Sequence, residues 1–309
     1  TLMPSTLALI SNMFLDARER ALAIGIWATM FALGMAAGPL IGGLLLERFW
    51  WGSAFLVAVP VVVVVLIAGP LLLPEYRARA SGPVDLSSVA LSLLAVLLVI
   101  YFIKESAKAG ISPASSLALV VGIVFAALFV NRQRALPSPL LDVRLFANGT
   151  FSAALSVLLV GLVGVGGAML LVTQYMQLVL ELPPVAAGLW MGPPAMLMLV
   201  AGIAAPLLAR RIRPGIVMGG SLALSAAGYF LLALLPAMPG LAPVTAGYGL
   251  VYLGLGTIAA LGTDLVVSAA PPKKAGSASA LSETVQELGI AAGVAILGSV
   301  TTAVYRGAV

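Results

Sequence analysis

Long apolar runs separated by short polar connections make up almost the whole chain. Ten such runs lie near residues 1–15, 21–46, 53–73, 86–103, 114–131, 150–180, 185–209, 215–236, 241–269 and 277–305, the first of them truncated. An α-helix rises about 1.5 Å per residue, so a run of about 18 to 30 residues crosses a hydrocarbon core ~30 Å thick. The pattern therefore predicts an all-α, polytopic membrane protein with about ten transmembrane helices in this chain.

Charge in the connections orients those helices. With the loop from Asp16 to Arg20 placed on the cytoplasmic side and sides alternating thereafter, Arg18, Arg20, Arg77, Arg79, Arg132, Arg134, Arg144, Arg210, Arg211, Arg213, Lys273 and Lys274 all face the cytoplasm. Only Arg48, Lys104, Lys108 and Arg306 face the other way. Twelve basic residues against four is the bias of the positive-inside rule. The net charge of +5 is thus accounted for by orientation in the membrane, and no nucleic-acid partner is expected. Trp50 and Trp51, at the outer end of the second helix, read as headgroup-level anchors.

Composition narrows the chemistry. With 61% hydrophobic and 9% charged residues, lipid must be the solvent for most of the surface. The chain holds no His and no Cys. Ser–His and Cys–His catalysis, thiol redox chemistry and the commonest zinc ligands are thereby removed, and neither a metal nor a cofactor is expected. An intramembrane aspartyl protease needs two aspartates at membrane depth, and only Asp264 qualifies. A transporter rather than an enzyme is the expectation.

Two connections divide the chain. The polar stretch from Glu75 to Asp85, with Gly82 and Pro83, separates three helices from a two-helix hairpin at about 86–131. The linker from Asn131 to Gly149 then leads to five more helices. Within it, Pro139 to Phe146 reads either as a short amphipathic element on the membrane surface or as an ordinary linker. The parts are 1–80, 81–135 and 136–309.

Three carboxylates stand out from this apolar background. Of eleven acidic residues, eight fall in loops or at helix ends, whereas Asp264 lies inside the ninth run and Glu283 and Glu287 inside the tenth. An ionisable group at that depth costs ~2.5 to 3.5 kcal/mol even on the lenient insertion scale. The short turn through Pro271–Lys274 makes the two helices an antiparallel hairpin. Asp264 is about two turns from the turn, Glu283 is at similar or slightly greater depth, and Glu287 is one turn beyond it on the same face. Two carboxylates so placed resist being ionised together, so the pair can hold a proton when empty and release it when a cation arrives. The bland alternative is structural, with these groups bonding a neighbouring helix or reaching cytoplasmic water. Ser282 and Gln286 border this face, and Gln174 and Gln177 sit near the outer end of the sixth run. Ser282 and Gln286 read as possible cavity lining that could hydrogen-bond a carboxylate or a bound polar ligand, and Gln174 and Gln177 either as lining of an outer vestibule or as interhelical hydrogen-bonding groups.

A second feature is the stretch from Gly34 to Gly43. Gly34, Gly38 and Gly42 recur every four residues, a spacing that lets a neighbouring backbone come close, and Pro39 removes a backbone donor and bends the helix. On spacing alone this is a packing seam between helices. Written out, however, Gly34, Gly38, Pro39, Gly42 and Gly43 form the pattern G-x-x-x-G-P-x-x-G-G, which resembles the antiporter signature in the fifth helix of drug/proton exporters of the major facilitator superfamily. Met3 to Ile10, Phe14 and Glu19 to Ala21 resemble what precedes it. The hairpin at 86–131, Pro139 to Phe146, Gln174 to Gln177, Ala187-Gly188, Ala278 to Glu283 and Glu287 to Gly289 resemble the fourteen-helix branch, whose members expel quaternary ammonium compounds, dyes and viologens.

The resemblance implies a major facilitator type helical bundle, of which this chain is a fragment holding helices four to thirteen. On that alignment 1–80 ends the N-terminal bundle, 81–135 is an inserted hairpin and 136–309 belongs to the C-terminal bundle. It also implies that Glu283 and Glu287, with Asp264 nearby, couple protons to recognition of lipophilic cations, and that the full-length protein works as a monomer in the cytoplasmic membrane. Transport is then expected to need residues outside this chain. A proton-coupled symporter for a small solute and a non-transporting membrane sensor or assembly subunit are the alternatives.

Overall fold

In the computed structural model, residues 17–72, 85–136, 139–271 and 275–308 are described, together with Thr6, Leu9, Ile10 and Met13. The rest of the first apolar run, most of the Glu75–Asp85 connection and the Lys273–Lys274 pair lie outside the described residues. The helices, in chain order, are α1 (Ala17–Arg48), α2 (Ser53–Leu56), α3 (Ala58–Leu72), α4 (Leu86–Ala109), α5 (Pro113–Ala135), α6 (Gly149–Gln174), α7 (Pro184–Trp190), α8 (Gly192–Ala209), α9 (Pro214–Ala233), α10 (Leu241–Ser268) and α11 (Ala275–Ala308). A 3₁₀ turn at Val143–Ala147 precedes α6 and a π-helical turn at Tyr175–Val179 follows it. Among the described residues, eight helical stretches are long and apolar enough to span a bilayer. They coincide with the third to tenth runs, and the second run lies within α1. The protein is a multi-pass, all-helical membrane protein.

The helices group into two compact units that do not follow chain order. One comprises Thr1–Arg79 with Val172–Thr257, the other Ala80–Leu171 with Ile258–Val309.

In the first unit, α1 packs on α7 and α8, and α8 on α9. Small residues set these crossings. Gly228 of α9 lies beneath the Gly247 carbonyl and the Val251 amide of α10, and Gly254 of α10 beneath Ser221 and Ser225 of α9. The Val61–Ile67 stretch of α3 is exposed throughout, as a lipid-facing helix surface should be.

In the second unit, α4 and α5 form a tight hairpin and α4 also packs on α11. Gly110, with φ of 80°, ends α4 in a conformation that glycine adopts without penalty. Ser112 then caps α5 in a reciprocal capping box with Ser115, ahead of Pro113. Gly122 brings α5 against Ala95 and Leu98 of α4.

A polar network closes the other end of this hairpin. Arg132 donates twice to the Asp85 carboxylate, at 2.6 and 2.9 Å, and Ser88 donates to it at 2.6 Å. Gln133, 2% exposed, donates to Ser88 at 2.6 Å and accepts from the Leu141 amide at 3.2 Å. The Arg132 and Ser88 hydrogen bonds hold the Asp85 carboxyl well below the usual carboxylate range, so it stays ionised into strongly acidic solution. The linker is thereby fastened to the hairpin.

At the end of Pro139–Phe146 the structure shows a 3₁₀ turn at Val143–Ala147. Asp142 caps the 3₁₀ turn by accepting from the Arg144 amide, Leu145 is buried, and Phe146 meets Phe151 edge to face. Asn148 caps α6 and donates to the Ala269 carbonyl at 3.1 Å, tying the linker to the end of α10.

Candidate functional site

The three acids sit on the α10–α11 hairpin of the second unit. A core of Leu145, Phe151, Leu155, Leu158, Ile258, Val266, Ala270 and Ala278 packs its turn end against the start of α6. One face of α11 is buried from Ala278 to Gly293. Ala278 and Ser282 are fully buried, and Gly289 and Gly293 lie beneath the α6 backbone, at the carbonyls of Leu159 and Val163. Gly166 of α6 returns the arrangement against the Ile290 backbone. Absent side chains let these two helices touch by backbone, which fixes the rotation of α11 about its axis.

That rotation decides where the carboxylates emerge. Each of Glu283 and Glu287 follows a residue of the buried face and so points about 100° away from it. Glu283 is half-buried, while Asp264 and Glu287 are exposed. Among the described residues, none of the three carboxylates takes a hydrogen bond or an ion pair. Of the structural alternative, the bonding of a neighbouring helix finds no bond among the described residues, while exposure of Asp264 and Glu287 is compatible with their reaching water.

Ser282 and Gln286 bond each other and, through Ser282, α10. Ser282 is 0% exposed and donates to Thr263 Oγ1 of α10 at 3.3 Å, while Gln286 Nε2 donates to Ser282 Oγ at 3.5 Å. They line the seam between α10 and α11. Thr263 was missed by sequence reasoning because a threonine in an apolar helix ordinarily bonds its own backbone.

Gln174 and Gln177 belong to the first unit and are exposed. The backbone between them changes to a π-helical turn, with the Leu180 amide donating to the Tyr175 carbonyl, and such turns concentrate at functional sites. The hydroxyls of Tyr175 and Thr245, both in this unit, are buried with no protein partner among the described residues. Groups of this kind need water or a polar atom of a ligand.

The stretch from Gly34 to Gly43 lies in α1, which continues as one helix through Pro39. Among the described residues, the close approach does not fall on the stripe of period four. Gly34, Gly38 and Gly42 meet no described atom within 4 Å. Instead Gly43 lies beneath the Pro184–Val185 backbone of α7, and Gly188 of α7 lies beneath the Pro39 carbonyl. A Cβ on Gly43 would fall 2.7 Å from the Pro184 oxygen, and one on Gly188 would fall 2.5 Å from the Pro39 oxygen. The physical reason is that Pro39 and Gly43 form their own i, i+4 row, about 100° around the helix from the row of Gly38 and Gly42.

A family model described as Major Facilitator Superfamily matches residues 1–294. The chain belongs to the major facilitator superfamily. Among its relatives in that superfamily, the multidrug efflux pump LfrA of Mycolicibacterium smegmatis is 41% identical over 305 residues, covering 99% of this chain and 60% of LfrA. The methyl viologen resistance protein SmvA of Salmonella typhimurium is 34% identical over 304 residues, covering 96% of this chain and 60% of SmvA. The tetracenomycin C resistance and export protein of Streptomyces glaucescens is 29% identical over 299 residues, covering 96% of this chain and 55% of that protein. This facilitator chain therefore spans rather more than half the length of the curated relatives it matches.

Proposed function

We propose that the protein exports lipophilic cations, quaternary ammonium compounds, viologens and dyes among them, across the cytoplasmic membrane in exchange for protons. The observation that carries this reading is the hairpin with Asp264, Glu283 and Glu287 at membrane depth and no cation paired to any of them among the described residues. Such groups persist in lipid when a mobile positive charge completes them, and a proton and a cationic drug can do so in turn. The names of LfrA and SmvA, as a multidrug efflux pump and a methyl viologen resistance protein, agree in direction.

The cycle follows from linkage. With the site open to the cytoplasm, the drug displaces protons from the carboxylates. With the site open outward, protons return and the drug leaves. Alternating access moves one helix bundle against the other around the site. The seam where Gly43 and Gly188 interlock α1 with α7 gives one such bundle contact its close fit. We place the protein in the fourteen-helix branch, with the α4–α5 hairpin inserted at 81–135 between a bundle ending at residue 80 and one starting at residue 136, and with a monomer as the working unit.

The sign of proton movement tests exchange. In vesicles holding the native-length protein and loaded with methyl viologen, imposing an outward gradient of the drug should acidify the lumen, because each departing cation admits protons. Alkalinisation under the same gradient would establish symport instead.

A further inference from the structure

We infer that Thr263, Ser282 and Gln286 form a positioning relay that holds Asp264, Glu283 and Glu287 on one edge of the α10–α11 hairpin, so that a cation meets them together. This rests on the proposed role of those acids in cation recognition.

Each link of the relay is the residue immediately before one of the carboxylates: Thr263 before Asp264, Ser282 before Glu283, Gln286 before Glu287. The links join across the seam, Gln286 to Ser282 at 3.5 Å and Ser282 to Thr263 at 3.3 Å, and Ser282 is wholly buried there. One step along a helix turns the side chain by about 100°. On a single helix that step alone would not gather groups from two elements. In an antiparallel pair, however, reversing the axis of one helix reverses both the direction it faces and the sense of its rotation. The residues that follow two facing residues therefore turn toward the same flank.

Asp264, from one helix, and Glu283 and Glu287, from the other, consequently emerge on a common edge. Their exposure agrees: the relay residues are buried or half-buried, Asp264 and Glu287 are exposed, and Glu283 is half-buried.

The α6–α11 backbone contact sets the rotation of α11, and the relay ties that helix to α10, so that Asp264 shares the edge with Glu283 and Glu287. The stretch of α6 packed on α11, residues 149–171, has no charged side chain. On α4, which also packs on α11, the charges are Lys104, Glu105 and Lys108 in its last turns, and Asp85, which caps its first turn, is bound to Arg132. Among the described residues, no basic group of these elements forms an ion pair with any of the three carboxylates. Hydroxyl and amide links across a helix seam in lipid are modest in strength, so losing one should loosen the edge without unfolding the hairpin.

The test uses methyl viologen transport by the native-length protein in vesicles. Thr263→Val keeps the shape of the side chain and removes its hydroxyl; Ser282→Ala removes the central link. Both should insert at wild-type level and keep the maximal rate within about twofold, while KM for methyl viologen rises roughly two- to tenfold, the range of one lost hydrogen bond. Thr263→Ser, which restores the hydroxyl, should return KM to the wild-type value. Unchanged KM in both variants, with Glu283→Gln inactive, would overturn the relay and leave the acids in place. Normal transport by Glu283→Gln would overturn the reading on which the relay rests.

Discussion

Cells producing the Glu283→Gln variant should be as sensitive to methyl viologen and quaternary ammonium biocides as cells lacking the protein, with the variant present in the membrane at wild-type amount. Glutamine matches glutamate in size and keeps its hydrogen-bonding oxygen, so packing on α11 is undisturbed. It cannot ionise, and it therefore cannot give up a proton to a cation or hold the cation's charge. Glu283 is the half-buried member of the three acids and adjoins the fully buried Ser282, which makes it the carboxylate nearest the protein interior. Removing a charge from that depth should leave the fold intact or slightly steadier, since the burial cost of ~2.5 to 3.5 kcal/mol goes with it. Growth across a drug series, with immunoblotting of membranes as control, reads both halves of the expectation. Wild-type resistance in this variant would remove Glu283 from the coupling site.

Gly188→Leu should abolish efflux by a different route. Even the first carbon of the new side chain would sit 2.5 Å from the Pro39 carbonyl oxygen, 2.8 Å from its carbon and 3.1 Å from the Leu40 nitrogen. These are backbone atoms of α1 and cannot swing aside. Overpacking a well-fitted contact costs about 1–3 kcal/mol and more when backbone must shift, and here the whole α1–α7 crossing has to separate. Gly43, beneath Pro184 and Val185, should respond in the same way. Gly38→Leu provides the contrast, because no described atom lies within 4 Å of its position, and it should slow efflux far less. Initial rates of drug efflux, normalised to inserted protein, separate the three variants. A Gly38→Leu defect as severe as that of Gly188→Leu would show that the row of Gly34, Gly38 and Gly42 is the working face after all.

Much of this architecture was legible in the sequence, because lipid enforces it. Runs such as 53–73 or 241–269 can only be helices where the solvent offers no hydrogen bonds, and their ends fall where Pro, Gly and charge interrupt them. The carboxylates were equally visible, since in a helix as apolar as α11 nothing conceals an ionisable group. What stayed hidden depended on rotation and on distant partners. Period-four spacing identifies a stripe without saying which side of the helix is pressed, so Gly34, Gly38 and Gly42 drew the eye while, among the described residues, Pro39 and Gly43 make the close contact. Ser282 looked like a cavity residue because it neighbours Glu283, yet one residue of offset turns it into the seam with Thr263. The Asp85–Arg132–Gln133 network joins positions nearly fifty residues apart, a pairing that periodicity cannot reveal, although polar residues at the matching ends of a predicted hairpin are the signal that could have suggested it.

The central claim is that one set of carboxylates exchanges protons for a cation, and the most direct measurement is proton release on binding. Methyl viologen added to the purified, native-length protein in weakly buffered detergent solution near neutral pH should release protons, on the order of one for each cation bound, as expected where a cation takes the place of a proton on shared carboxylates. The variant with both Glu283→Gln and Glu287→Gln should release none. Binding of methyl viologen to the wild-type protein with no change in pH would contradict the account.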